Sequence, residues 1–205
     1  MKIIEKPVEI EQGDTFKIIL SKYGALALDR QENLSELIGD TVGDLDIEKG
    51  IISFGDIEFP AQILGFYLQD ANQWSWAWDN EDIFGKNLIE SANEIKSIGE
   101  EFDVKEFTSP VLNADFNDCH TLAMAATGIL NMDAYYGISE DGLDIFVLIK
   151  SDLIEEIDSA KKFRDTFYTF QKNFNIYPKI AFESYTKLKG YGFKPHDDFA
   201  LAKIG

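Results

Sequence analysis

Asp118-Cys119-His120 puts a carboxylate, a thiol and an imidazole in three consecutive positions, ahead of the apolar run from Leu122 to Ile129. A cysteine attacks as the thiolate, and the positive end of a helix favours that form. An imidazole within hydrogen-bond reach would take up the proton. The chain has two histidines, His120 and His196. The chemistry these residues allow is therefore that of a thiol hydrolase, with Cys119 as nucleophile, His196 or His120 as base and Asp118 assisting. The competing reading makes Cys119 a small apolar residue at a helix start capped by Asp118. Leu122, Ala123, Ala126 and Ile129 lay an apolar stripe close to the Cys119 side of the helix, which favours the core.

The second constellation is Gln73-Trp74-Ser75-Trp76-Ala77-Trp78-Asp79-Asn80. On a strand, residues two apart share a face, so Trp74, Trp76 and Trp78 would line one side, opposite Ser75 and Ala77. With Asp79 and Asn80 at its end, such a row could stack a planar ligand or sugar, or anchor a protein partner. Indoles are usually buried, so the expected place is a core seam under one of the following helices.

Metal chemistry is poorly supplied. One Cys and two His fall short of a structural zinc site. Asp44, Asp46 and Glu48 imitate the start of a calcium loop, but Gly50 arrives one position late and the closing Glu is missing. Asp79, Glu81 and Asp82 read as a solvated strand end. The phosphate-binding, nucleophile-elbow and zinc-protease motifs are absent in their usual forms, and no cofactor is expected.

These residues need elements to hold them. Apolar spacing predicts a helix over 14–38 with Asp14 as N-cap, then a meander: a strand around Leu45 and Ile47, Ile51 to Phe54, 57–68 with Pro60 marking an edge or bulge, and 73–79. Helices follow at 83–99, stopped by Gly99, and at 117–131, with 102–115 irregular between them. Tyr135 to Ile138 and Leu143 to Ile149 form a hairpin. Helices at 152–173 and from Pro178 to Gly190 precede a tail with mixed signals. Strands grouped ahead of helices argue for an α+β fold, an antiparallel sheet of about four to six strands with helices packed on one face. One domain over 1–205 suits the length; the alternative division sets a helical subdomain at 151–205.

The strand Ala61-Gln62-Ile63-Leu64-Gly65, followed by Trp74-Ser75-Trp76-Ala77-Trp78-Asp79-Asn80 and a helix running to Gly99-Glu100, resembles a bacterial domain family of unknown function. Its members carry a Gln-Ile-Leu-Gly strand, then a Trp-x-Trp-Ala-Trp-x-Asn strand. The resemblance covers about residues 14–100. It implies an α+β fold and a bacterial cytoplasmic protein, and no catalytic residue. Asp-Cys before a helix also resembles the nucleophile site of papain-like cell-wall peptidases. That family has Ser-Gly after the Cys, where His120-Thr121 stand here, and its His on a downstream strand, whereas His196 lies in Lys-Pro-His-Asp-Asp.

Charge narrows the partners. The net charge is −18. Residues 1–159 carry 10 basic and 33 acidic side chains, a net of −23, while residues 160–205 carry 9 and 4, a net of +5. Such a surface repels nucleic-acid phosphate and anionic lipid, and favours a basic protein partner. A single cysteine and no signal-peptide run after Met1 point to the cytoplasm, with no membrane attachment. The expected function is a non-enzymatic acidic interaction module, of which a toxin-immunity protein is one form; the thiol hydrolase with Cys119 as nucleophile is the alternative.

Overall fold

The computed structural model describes residues 7–196 and 200–204. Met1 to Lys6, read above for a signal peptide, and Asp197-Asp198 after His196 lie outside the described residues.

Helix α1 (Phe16–Ile38) opens the fold. Its N-cap is Thr15, whose hydroxyl accepts from the Ile18 amide at 3.4 Å. Asp14, expected in that role, instead accepts from Lys22 Nζ at 2.5 Å. Strands β1 (Asp44–Asp46), β2 (Ile51–Phe54), β3 (Ile57–Leu68) and β4 (Gln73–Trp76) form the meander. The expected helix over 83–99 divides into the single turn α2 (Glu81–Phe84), a short 3-10 turn and α3 (Glu90–Phe102). Gly99 does not stop α3. It lies inside the helix, where a Cβ would come within 2.6 Å of the Phe107 side chain, and Asp103 in the left-handed conformation ends the helix. The stretch read as irregular holds α4 (Lys105–Thr108) and β5 (Val111–Asn113).

Helix α5 (Phe116–Ile129) and the hairpin of β6 (Ala134–Glu140) and β7 (Leu143–Ile149) follow. Helices α6 (Ala160–Asn173) and α7 (Pro178–Leu188) come next. The tail forms a two-stranded ribbon, β8 (Gly192–Pro195) with β9 (Ala200–Lys203). The helix expected from 152 begins late. Asp152, Glu155, Glu156 and Asp158 would repel one another at three- and four-residue spacing over nearly two helical turns, and Ser159 supplies the cap, accepting from Lys162 N.

Seven strands, more than the four to six expected, make one antiparallel sheet in the order β1-β2-β3-β4-β5, with β7 on the other side of β3 and β6 outside β7. The extra strand is β5, which pairs with β4. Pro60 pairs with β2 before the β7 ladder begins at Ala61, so its missing N–H faces no partner strand there. The bulge lies further on, between Ile63 and Gly65.

Register assigns the two faces. Ser139, Asp144, Tyr67, Trp74 and Leu112 stand in one row across the strands, and Gly137, Phe146, Gly65 and Trp76 in the next row on the same face. Helices α1 and α5 cover this face, with Trp74, Trp76 and Phe146 fully buried beneath them. Gly65 is required here: a Cβ would lie 2.5 Å from the Trp74 ring. Ile63, Val147 and Ile149 feed a second cluster on the other face, closed by Ile52, Phe54 and Phe59 and by Ala92 of α3.

Helix α1 is buried nearly all round, with α5, α6 and α7 packed on it. At Gly128 of α5 a Cβ would sit 2.6 Å from the Tyr23 Cβ, so the two helices touch nearly backbone to backbone. The charge asymmetry of the sequence is partly resolved inside the fold. Asp29 of α1, 1% exposed, lies 3.2 Å from Lys162 Nζ of α6 and 2.9 Å from Lys189 Nζ just after α7. Lys189 also reaches Glu156 at 2.6 Å, and Thr166 of α6 donates to Glu32 at 2.5 Å. Cations of the C-terminal segment are used to dock it on the buried carboxylate of the first helix.

Candidate functional site

Asp115, not Asp118, is the N-cap of α5. Asp115 Oδ1 accepts from the Asp118 amide at 2.9 Å, and Asp118 Oδ2 accepts from the Asp115 amide at 3.0 Å, a reciprocal capping box. Cys119 on the next turn is fully buried, and its thiol donates to the Asp115 carbonyl at 3.1 Å. Burial, reinforced by Asp118, Asp115 and Asp144, pushes its pKa up to about 12. The carboxylates and desolvation outweigh the helix terminus that was expected to favour a thiolate.

His120 bonds elsewhere. Its Nδ1 lies 3.1 Å from the Tyr135 hydroxyl, and its ring meets Phe116 and Phe146 edge-on at 4.6 and 5.3 Å. Burial lowers its pKa against the pull of Asp144, so the imidazole is neutral at neutral pH. His196 follows β8, whose strand contacts α7, whereas Cys119 sits on α5. The thiol is hydrogen-bonded to a backbone carbonyl and His120 to a phenol, not to each other.

Sequence reasoning missed Asp144 beneath α5. It is 1% exposed and accepts from Gln69 Nε2 at 2.9 Å and from the Ser139 hydroxyl. A lone acid in the apolar run Leu143 to Ile149 is the signal that pointed to it, because a carboxylate in such a place must be partnered. Asp29 within the stripe of α1 carried the same signal.

The tryptophan row is shorter than expected. Strand β4 ends at Trp76, and Ala77–Asp79 form a 3-10 turn. Trp74 and Trp76 are fully buried and meet edge-on at 5.3 Å. Trp76 Nε1 donates to the Glu106 carbonyl at 3.0 Å. Trp78 leaves the row, half-buried, with Lys96 Nζ 4.3 Å above its ring. Ser75 and Ala77, expected on the opposite side, are themselves buried. Asp79 is exposed, and Asn80 donates to the Trp76 carbonyl at 3.0 Å. Trp74 and Trp76 are thus core, closed to a stacking ligand, while Gln73, Trp78 and Asn80 are half-buried and Asp79 is exposed.

Among the described residues, no group of three or more His, Cys, Asp or Glu is placed to hold a metal ion, and no helix is long and apolar enough to cross a membrane.

An antiparallel sheet with a helical layer on its tryptophan face defines an α+β protein. Residues 19–152 match the model of DUF6882, a family of unknown function, and the chain belongs to that family. No curated protein and no solved structure matches it.

Cys119 provides a direct check. In the folded protein at pH 8, iodoacetamide should leave the thiol unmodified over a time in which a free cysteine, of pKa about 8.5, reacts fully. Denaturant should restore the reaction. Rapid labelling of the native chain would mean that the sulfur is open and ionised, and would revive the hydrolase.

Proposed function

We infer that the protein is a non-enzymatic interaction module of the bacterial cytoplasm, whose acidic surface masks a basic protein partner as a toxin-immunity protein does. The observation that carries this reading is the distribution of charge in the folded chain. Lys162 and Lys189, part of the small basic excess, are turned inward onto Asp29, while most of the acidic side chains of residues 40–158 stay on the outside. A field of one sign steers an oppositely charged protein and rejects nucleic acid and anionic lipid. The thiol hydrolase is the weaker reading, since a buried sulfur with a raised pKa is poorly suited to attack.

Two observations test the module. A partner held at about 0.01 M salt, where charges act over ~30 Å, should be released at about 1 M, where they act over ~3 Å. Equal retention at both would remove the acidic surface as the reason for binding. A gene for a secreted toxin beside the coding gene would support the immunity form.

A further inference from the structure

The sheet face opposite the tryptophans is left half open at its far end. Register places Ile138, Ile145, Phe66, Ser75 and Val111 in one row there, and Glu140, Leu143, Leu68, Gln73 and Asn113 in the next row on the same face. Leu68 is 38% and Val111 45% exposed, and Phe66, Leu143 and Ile145 are half-buried. The partial cover is α2, whose Phe84 meets Phe66 at 6.0 Å while Ile83 beside it is 69% exposed.

Acids frame this apolar strip. Two hairpin tips meet where Gln69 N donates to the Gly142 carbonyl at 3.0 Å, bringing together exposed Asp70, Glu140 and Asp141. Exposed Glu81 and Asp82 stand on α2 at the other margin, with Lys86 in an exposed pair 3.4 Å from Glu81. We propose that this strip is the docking surface of the module, and that its occupant is a protein presenting an apolar side chain framed by lysine or arginine. The proposal rests on the reading of an acidic interaction module. Charge complementarity selects the occupant: a second copy of a chain with net charge −18 would set carboxylate rim against carboxylate rim.

The test uses the full chain and a synthetic peptide alternating lysine and leucine, followed by amide NMR. A peptide with serine for leucine and one with glutamate for lysine are the controls. Shifts should concentrate on residues 66–73, 81–84, 111 and 140–145, and neither control should reproduce them. Leu68→Lys should weaken binding about tenfold, as loss of one anchoring contact does. Val111→Lys, at a more exposed position, should do the same if Leu68→Lys folds poorly. Glu140→Gln with Asp141→Asn should flatten the salt dependence. If the peptide binds with salt sensitivity but shifts other residues, the strip is wrong and the acidic module stands. Absence of salt-sensitive binding by either basic peptide defeats the module itself. Equal binding of the glutamate peptide overturns the basic occupant, and so does a dimer of the free chain that Leu68→Lys dissolves.

Discussion

Asp29→Ala should lower the free energy of unfolding by about 3–5 kcal/mol, read from urea denaturation. The carboxylate is 1% exposed and holds Lys162 and Lys189, whose side chains are 11% and 3% exposed. Removing it leaves two ammonium groups in the contact between α1 and the C-terminal helices, with Glu156 and Asn33 as the remaining acceptors. The cost comes from stranded charge, so the changes should not add. Exchanging Asp29, Lys162 and Lys189 together for apolar residues of similar size should cost much less than Asp29→Ala alone. A loss below about 1 kcal/mol for the single change would mean that the lysines escape to water. The pH dependence follows from Lys189. Burial alone would pull its pKa down, but its bonds to Glu156 and Asp29 prevail and raise it above the ordinary 10.5. A raised cation stabilises the fold fully below 10.5, and that contribution drains away as pH climbs through the higher folded value.

Trp74→Ala should cost about 3–5 kcal/mol. The indole is fully buried, lies over Gly65, and meets Trp76 and Phe146 at 5.3 Å each. Backbone on one side and rings on the others leave little room for collapse into the cavity. Phenylalanine separates packing from hydrogen bonding. Trp76→Phe strands the Glu106 carbonyl, whereas among the described residues the Trp74 indole N–H has no hydrogen-bond partner to lose. Trp76→Phe should therefore cost about 1 kcal/mol more than Trp74→Phe. The reverse order in denaturation would place the hydrogen bond on the wrong indole.

The sequence made periodic things legible. The apolar spacing of α1, α5 and α7 and the alternation in the β6–β7 hairpin located those elements to within a few residues. Choices of one or two atoms were harder. Thr15 and Asp14 are both good caps, and Lys22, a turn and a half along α1, draws Asp14 away. Strand β5 is three residues long and is held by its ladder with β4, a partner some forty residues earlier that local propensity does not register. Trp78 leaves the expected row because the alternation of Trp with small residues runs on past Trp76, where the strand ends. At the candidate site, the burial of Cys119 followed from its stripe. Of the carboxylates around it, Asp118 and Asp115 are neighbours in sequence, whereas Asp144, the smallest contributor, comes from a distant part of the chain through the sheet register. The docking strip depends on that register too, since Phe66, Leu143 and Val111 come from three separate strands.

The central position of α1 governs the order in which a nascent chain can mature. During synthesis the meander from β1 to β4 finds its neighbours within a few dozen residues, and it can form soon after it leaves the ribosome. Helix α1 is made earlier and must wait. Its partners α5, α6 and α7 emerge only between residues 116 and 188. Until then its buried face is exposed to water, and Asp29 has neither lysine. Assembly of the helical layer is therefore a late event dominated by contacts remote in sequence, the kind that slow folding and expose a chain to aggregation. A ribosome-bound fragment ending near residue 155 would carry most of the sheet and an unsatisfied first helix.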